Sequence, residues 1–350
     1  MALKKAWMIG IKNMNKTSNL LKELERKPLR IAIETSSICN ANCSFCAHRY
    51  SNRKKSIMDF ETYKNVLEQI RAFGCQELKF TPITGDALVD PGLIEKIKYA
   101  KSLNRFKVIY TFTNLIGLNF EKVDDFVNSG LTKIMISTCL QGREDYKRIY
   151  GVDQFERVMK NILALLESNK KNGSPIQIGI LLRHDKGYDL KNNFYYQKIS
   201  GFKPKINVLN DDYDNWSGLV ALENLPKGQK FLPEQVKNFP CSQLYNGFII
   251  TPTGDVGVCW ARDLNLDLKI GSIYGNNLNE IWQGDNLKKM RQDWMEGKLP
   301  DPCKNCLQYC SILDHSLIQK HILDHPLKYI FFLPRVIRLK IKYLLDRIDE

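Results

Sequence analysis

Between residues 29 and 210, six apolar, β-branched runs alternate with helix-like stretches, and no other feature limits the fold so strongly. The runs are Leu29–Thr35, Glu77–Thr81, Lys107–Thr113, Lys133–Thr138, Ile176–Arg183 and Lys205–Leu209. Helix-like stretches fall between them at 59–73, 91–103, 120–129, 153–171 and 188–200. Asp59 and Asp153 stand where N-caps of the first and fourth stretches are expected, and Gly74 and Gly130 where C-terminal caps are expected. Such alternation predicts parallel strands joined by right-handed crossovers. Six units are too few for an eight-stranded barrel. The expected fold is therefore α/β, an open six-unit (β/α)6 partial TIM barrel.

The pattern changes after Asn210. Residues 211–240 carry Pro226, Pro233 and Pro240 without a helical period and read as a linker. Gly247–Val258 places Pro252-Thr253-Gly254-Asp255 between two apolar runs, the mark of a hairpin. Residues 277–296 read as one helix. The expected organisation is a leader (1–28), a core barrel (29–210), a linker (211–240), a small α+β extension (241–315) and a tail (316–350).

At 350 residues, with 43% hydrophobic and 26% charged side chains, the chain is neither a small module nor disordered. No run of 18 apolar residues is present, and Lys12 interrupts the N-terminal apolar stretch too early for a signal peptide. A cytoplasmic location is expected. The ten cysteines then read as reduced thiols, and eight of them fall in two tight groups, which points to metal sites.

The formal charge of +14 is concentrated toward the two ends. It serves as a solubilising surface, or meets nucleic acid, anionic lipid or a phosphorylated substrate. Pro326–Ile348 interleaves apolar and basic residues. A helix from Pro334 can pack on the barrel or a partner, or make peripheral contact with an anionic membrane.

The first cysteine group, Cys39-x3-Cys43-x2-Cys46, follows the first strand directly. Three thiolates can hold three corners of an iron–sulfur cubane and leave one iron open. Zinc needs a fourth donor, which His48 can supply. The residues alone leave both readings open.

This group, with an aromatic residue (Phe45) before the third cysteine and a six-unit barrel around it, resembles the radical S-adenosylmethionine (SAM) superfamily. The resemblance implies that Cys39, Cys43 and Cys46 hold a [4Fe–4S] cluster whose open iron takes SAM. An external one-electron reductant of the flavodoxin or ferredoxin type then drives cleavage to a 5′-deoxyadenosyl radical, which removes a hydrogen atom from substrate. It further implies that Gly85 and Asp86, in Thr84-Gly85-Asp86-Ala87, receive the SAM ammonium where the family has Gly-Gly-Glu-Pro. Ser137 would approach the carboxylate or ribose, Gly179 and Ile180 would line the adenine, and Thr113 ends the third strand at the same mouth.

In the second group, 17 residues separate Cys241 from Cys259, and Cys303-x2-Cys306 follows 43 residues later. A four-sulfur cage of this kind suits zinc or [4Fe–4S]. With Gly254, Ile281-Trp282 and Arg291 it resembles the SPASM/twitch extension of radical SAM enzymes. The resemblance implies one auxiliary [4Fe–4S] cluster on Cys241, Cys259, Cys303 and Cys306. Cys310 is a spare thiol or replaces Cys306.

Strand alternation puts Cys139 on the same face as Ser137, so it is either a packed thiol or a hydrogen-atom donor. Cys75 is expected to be buried. Arg183, Asp185, Asp211 and Asp212 are candidate proton acceptors for an alcohol oxidation. The expected activity is oxidation or other modification of a polar small molecule: an aminosugar, nucleotide sugar or cyclitol. Peptide maturation and epimerisation are the alternatives within the family. Only about 28 residues precede the first strand, which disfavours leader-guided peptide work. A zinc-stabilised nucleic-acid-binding protein is the alternative from another class, but no interleaved aromatic–basic stripe marks a binding face.

Overall fold

A computed structural model describes residue 22 and residues 24–80 and 83–312 of the chain. The expectations for the tail and for most of the leader lie outside these residues. Nine strands form one sheet in the order β6-β5-β4-β3-β2-β1-β7-β8-β9. Six of them are the strands of the alternating half: β1 (Arg30–Ile33), β2 (Glu77–Phe80), β3 (Val108–Thr113), β4 (Lys133–Thr138), β5 (Gln177–Leu182) and β6 (Lys205–Val208). All five pairings among these six strands are parallel. This is the sheet of a partial TIM barrel.

Each crossover helix buries the stripe its sequence spells. In α1 (Phe60–Arg71) the buried residues are Tyr63, Val66, Leu67 and Ile70, and the Asp59 side chain accepts from Thr62 N as N-cap. Helix α2 (Leu93–Ser102), between β2 and β3, buries Leu93, Ile97 and Ala100, and α3 (Val123–Val127), between β3 and β4, buries Phe126 and Val127. Two helices separate β4 from β5, α4 (Arg143–Tyr150) and α5 (Phe155–Lys171). The first of these was not expected. Its apolar positions Tyr146, Ile149 and Tyr150 have helical spacing, but they sit among charged residues in a segment only eight residues long. Asp153 does not cap α5. It accepts from Arg143 Nε and Nη2 at 2.8 and 2.7 Å, and Gln154 takes the N-cap position without a side-chain bond. Helix α6 (Phe194–Ser200) is shorter than expected because Asn193 caps it there, accepting from Tyr196 N.

The extension continues the barrel's own sheet. After the short helix α7 (Gln243–Asn246), strand β7 (Gly247–Ile250) pairs parallel with β1 in the register Arg30↔Gly247 to Ile33↔Ile250. A Cβ on Gly247 would lie 1.8 Å from the Arg30 carbonyl oxygen, so only glycine fits at this junction. Strands β8 (Asp255–Gly257) and β9 (Lys269–Ser272) follow antiparallel, with the expected turn at 251–255. The helix expected over 277–296 is two, α8 (Leu278–Gln283) and α9 (Asp285–Met295), broken at Gly284, whose backbone is extended. A one-turn helix α10 (Asp301–Lys304) carries Cys303. The segment 211–240 is not a free tether. It contributes Tyr213, Asp214, Val220 and Leu225 to the buried interior.

Candidate radical site and auxiliary cysteine cage

The loop after β1 is built from the residues that leave the sheet. Glu34, Thr35, Ser36 and Ser37 are all buried. Arg53 reaches Glu34 with two hydrogen bonds, at 2.5 and 2.9 Å, and fixes the strand end. The cysteine loop then rests on the C-terminus of α4. Asn42 N donates to Tyr150 O at 3.0 Å and Ser44 N to Ile149 O at 2.9 Å, so loop amides satisfy carbonyls that the helix leaves open. Gly151 ends α4 at φ +69, and a Cβ there would fall 2.1 Å from Asn42 O. On the other side, Gly85 at φ +128 lies against the backbone of 36–38, and Asp86 N donates to Ile38 O at 2.9 Å. Helix and glycine turn together hold the loop.

Cys39, Cys43 and Cys46 line one cavity of about 380 Å³ at the C-terminal ends of the parallel strands, where barrels of this kind keep their sites. That volume is in the range of a small-molecule site. Phe45, Gly85, Asp86, Thr113, Ser137 and Arg183 line it as well. Asn114 Nδ2 approaches Cys39 Sγ at 3.9 Å.

Asp86 is braced. Its oxygens accept from Thr113 Oγ1 at 2.8 and 2.9 Å, Asn114 N at 2.7 Å and Leu88 N at 2.9 Å. Burial raises its carboxyl to about 6 against these hydrogen bonds. Its bonds tie the third strand to the glycine turn, a bracing role alongside the ammonium contact expected from the sequence.

Several expected residues lie elsewhere. Ile180 is fully buried on the opposite strand face from Leu181, which lines the cavity. Gly179 makes room for Met135, whose Cε would be 2.7 Å from a Cβ. Cys139 is fully buried and outside the cavity lining, its thiol pushed up to about 12 by burial. Asp185 accepts from Arg148 at 2.7 Å, Gln141 at 3.0 Å and Lys227 N at 2.7 Å, a loop tie rather than a base. Asp211 pairs with Lys186 at 2.5 Å. Arg183 is in the cavity, but a guanidinium has donors and no acceptor. It donates to Ser137 Oγ at 3.0 Å, and its charge lies 4.0 Å above the Phe45 ring. Among the four acceptor candidates, Asp212 is the carboxylate that lines the cavity.

Sequence reasoning missed the residues that come from the 211–240 segment and the extension. Tyr213, Asp214, Trp216, Trp260, Arg262 and Gln308 complete the cavity wall. The positions Trp260 to Arg262 follow directly on Cys259, and that adjacency was the available signal.

Cys241, Cys259, Cys303 and Cys306 surround a second, small space. Cys310 is not in its lining. Among the described residues no three His, Cys, Asp or Glu side chains are set to share a single ion. A cubane instead takes each thiolate at a separate corner. Burial pushes Cys39 and Cys259 up to about 12 and Cys241 up to about 11, and it raises Cys43, Cys46, Cys303 and Cys306 as well. Neighbouring thiols add to the shift, because like charges so close together cannot all ionise alone. Grouped, buried thiols of this kind become thiolates when a polynuclear cation replaces their protons. Thr84 Oγ1, buried at the cavity wall, has no hydrogen-bond partner among the described residues, as suits a polar ligand there. Both donor sets therefore fit iron–sulfur clusters, and the first leaves room for SAM beside it. Cys75, by contrast, is buried and donates to Pro28 O at 3.1 Å.

A family model of the radical SAM superfamily matches residues 33–186, and one of a SPASM iron–sulfur cluster-binding domain matches residues 241–307. The chain is a radical SAM enzyme with a C-terminal SPASM domain. Its cofactors are SAM, the [4Fe–4S] cluster of the radical SAM domain and auxiliary iron–sulfur in the extension. Among its relatives is the PqqA peptide cyclase of Gluconobacter oxydans (strain 621H), 22% identical over 312 residues, or 81% of this chain and 84% of that protein. Another is the S-adenosyl-L-methionine-dependent 2-deoxy-scyllo-inosamine dehydrogenase of Niallia circulans, 23% identical over 287 residues, or 79% and 91%. In fold the chain is similar to BtrN in complex with AdoMet and 2-DOIA, with TM-score 0.55 and 19% identity over 82% of this chain and 96% of that one. It is also similar to Streptococcus suis SuiB bound to precursor peptide SuiA, with TM-score 0.58 and 15% identity over 80% and 71%. No helix among the described residues is long and apolar enough to cross a membrane.

Proposed function

We propose that this enzyme oxidises a polar small molecule, of the aminosugar or cyclitol type, by two electrons, with one auxiliary [4Fe–4S] cluster as electron acceptor. The observation that carries this reading is a shared wall. Ala261, Arg262 and Gln308 line both the radical-site cavity and the auxiliary cage. An electron leaving a substrate in the first chamber has only this wall to cross.

With SAM bound, the first site supplies hydrogen-atom abstraction. The chain's own residues do the rest. Cys39, Cys43 and Cys46 would hold the cluster, while Gly85, Thr113 and Ser137 line the space beside them. Arg183, fixed by Ser137 and Phe45, keeps a positive charge at the cavity wall. After the substrate carbon loses a hydrogen atom, Asp212 would take the hydroxyl proton, and Cys241, Cys259, Cys303 and Cys306 would hold the group that supplies an acceptor for the remaining electron. The alcohol would thereby lose a hydrogen atom, a proton and an electron and become a ketone. One electron would enter from an external reductant and one would leave through the extension, so the turnover would balance. Ten cysteines support a single auxiliary cluster: after the first three, Cys75 and Cys139 are set aside, five remain.

The likeness to the dehydrogenase over 91% of its length supports this reading. The likeness to the peptide cyclase favours a second one, modification of a peptide. Cys139, walled off from the cavity, speaks against an epimerase that returns a hydrogen atom from this thiol.

Anaerobic reconstitution tests the cofactor set. About eight irons per chain are expected, falling to about four when Cys39, Cys43 and Cys46 are changed to Ala. About four falling to none removes the auxiliary cluster and the oxidative reading with it. With candidate cyclitols, a ketone formed in step with 5′-deoxyadenosine supports dehydrogenation. A cross-linked peptide product supports the second reading.

A further inference from the structure

Arg262 occupies the wall between the two chambers and touches groups from both. Its backbone N–H approaches Cys259 Sγ at 3.4 Å. Burial lowers its guanidinium to about 10, which leaves it charged at neutral pH, and thiolates at Cys306 and Cys46 would favour that charge. It forms an ion pair with the buried Asp214 and lies 4.4 Å above the Trp216 ring. Trp216 in turn donates from Nε1 to Phe45 O at 3.1 Å, and Ser217 donates from Oγ to Pro302 O at 2.6 Å. The segment 214–217 thus clasps the first cysteine loop on one side and the auxiliary loop on the other. Its backbone is strained to do so: Trp216 and Ser217 have φ +50 and +60, values that side-chain-bearing residues seldom adopt.

We propose that Arg262 is a positioning residue that raises the reduction potential of the auxiliary cluster, and that Asp214 offsets part of that effect. This rests on the auxiliary cage holding an electron-accepting cluster. Reduction adds a negative charge to a cluster, so a fixed cation beside its thiolates favours the reduced form and a fixed anion disfavours it. A guanidinium keeps its charge when buried, which an ammonium does not do as readily. The pair therefore sets how readily the cage takes an electron from the neighbouring chamber.

The test uses the reconstituted full chain carrying the Cys39, Cys43 and Cys46 to Ala changes, so that only the auxiliary cluster gives a signal. Its midpoint is followed by EPR during a redox titration. Arg262→Gln is expected to shift the reduction equilibrium at least tenfold toward the oxidised form, 59 mV for one electron. Arg262→Lys should shift it less, and Asp214→Asn should shift it in the opposite direction. A role confined to holding the loops would not produce shifts of opposite sign. Midpoints unchanged within twofold in both Arg262→Gln and Asp214→Asn overturn the proposal. Should Arg262→Gln fail to take up iron, Asp214→Asn alone decides: a rise supports the assignment, and no rise overturns it. In the chain with all its cysteines, the substrate-dependent reduction of the auxiliary cluster is read separately. If the midpoints move but substrate never reduces that cluster, the oxidative function falls and the assignment of Arg262 stands.

Discussion

Gly151 and Asp86 hold the cysteine loop from opposite sides, and each permits a sharp prediction. An alanine at 151 would need both a left-handed backbone and a Cβ 2.1 Å from Asn42 O. Moving a loop that donates two amides to α4 costs more than the roughly 1 kcal/mol of an ordinary strained glycine replacement. Gly151→Ala should therefore lose iron at the first site and keep it at the auxiliary one, which iron counts per chain will read. Asp86 gives a pH dependence. Its carboxyl is raised to about 6 in the fold, whereas an unfolded aspartate titrates near about 3.9. Between these values the folded chain binds the extra proton, so stability is greatest at the acid end and falls as pH rises through the folded value. Asp86→Asn should be less stable throughout, because an amide cannot accept from both Leu88 N and Asn114 N. It should also lack the slope. Thermal unfolding of the two chains at pH 5 and pH 7 checks both points; an equal slope in the variant would assign the dependence to another group.

At the scale of elements, local chemistry was legible where it was written in adjacent residues. Asp59 before an apolar helical stripe gave a cap, and the structure has it, accepting from Thr62 N at 2.8 Å. Asp59→Ala should cost about 1 kcal/mol in urea unfolding. Because hydrogen bonds from Thr62 hold this carboxyl below its ordinary value, its contribution is present at neutral pH and fades as pH falls below the ordinary aspartate range. An Asp59→Ala chain as stable as the parent would mean that the end of α1 is held by packing alone. Cysteine spacing was equally plain, since a thiol group three and four residues apart has few other uses. Asp153 and Asp185 show what was not legible. Each has the right position in the chain for a cap or a base, but each is claimed by an arginine on α4, a helix whose short, charged sequence hides it. Trp216 and Arg262 carry no periodicity at all. They matter because two loops distant in sequence meet, and sequence pattern does not report such meetings. The pairing of β7 with β1 belongs to the same class: Gly-Phe-Ile-Ile spells a strand, not its partner.

That pairing decides how the whole molecule behaves. If the extension were a separate module on a linker, it would unfold apart from the barrel. Instead, β7 hydrogen-bonds along the full length of β1, and Ala32, Ile83, Ile249 and Leu266 form one cluster between barrel and extension, with Trp260 packed against it. Arg53 adds a further tie, donating from Nε to Leu264 O at 2.9 Å while it grips Glu34. Ile249 is fully buried in this seam. Replacing it with Ala removes transfer energy and leaves a cavity, together worth about 2–5 kcal/mol. The prediction is that this loss is felt by barrel and extension alike. In the chain with Cys39, Cys43 and Cys46 changed to Ala, visible iron–sulfur absorption reports the extension and far-ultraviolet circular dichroism mainly the barrel. Urea transitions from the two probes should coincide, and Ile249→Ala should move both to lower denaturant together, as one cooperative unit requires. A visible transition that moves while the dichroism stays would mean the seam is weaker than its burial implies. The wall that Arg262 forms would then open before the barrel does, and electron transfer between the chambers would fail at denaturant concentrations that leave SAM binding intact.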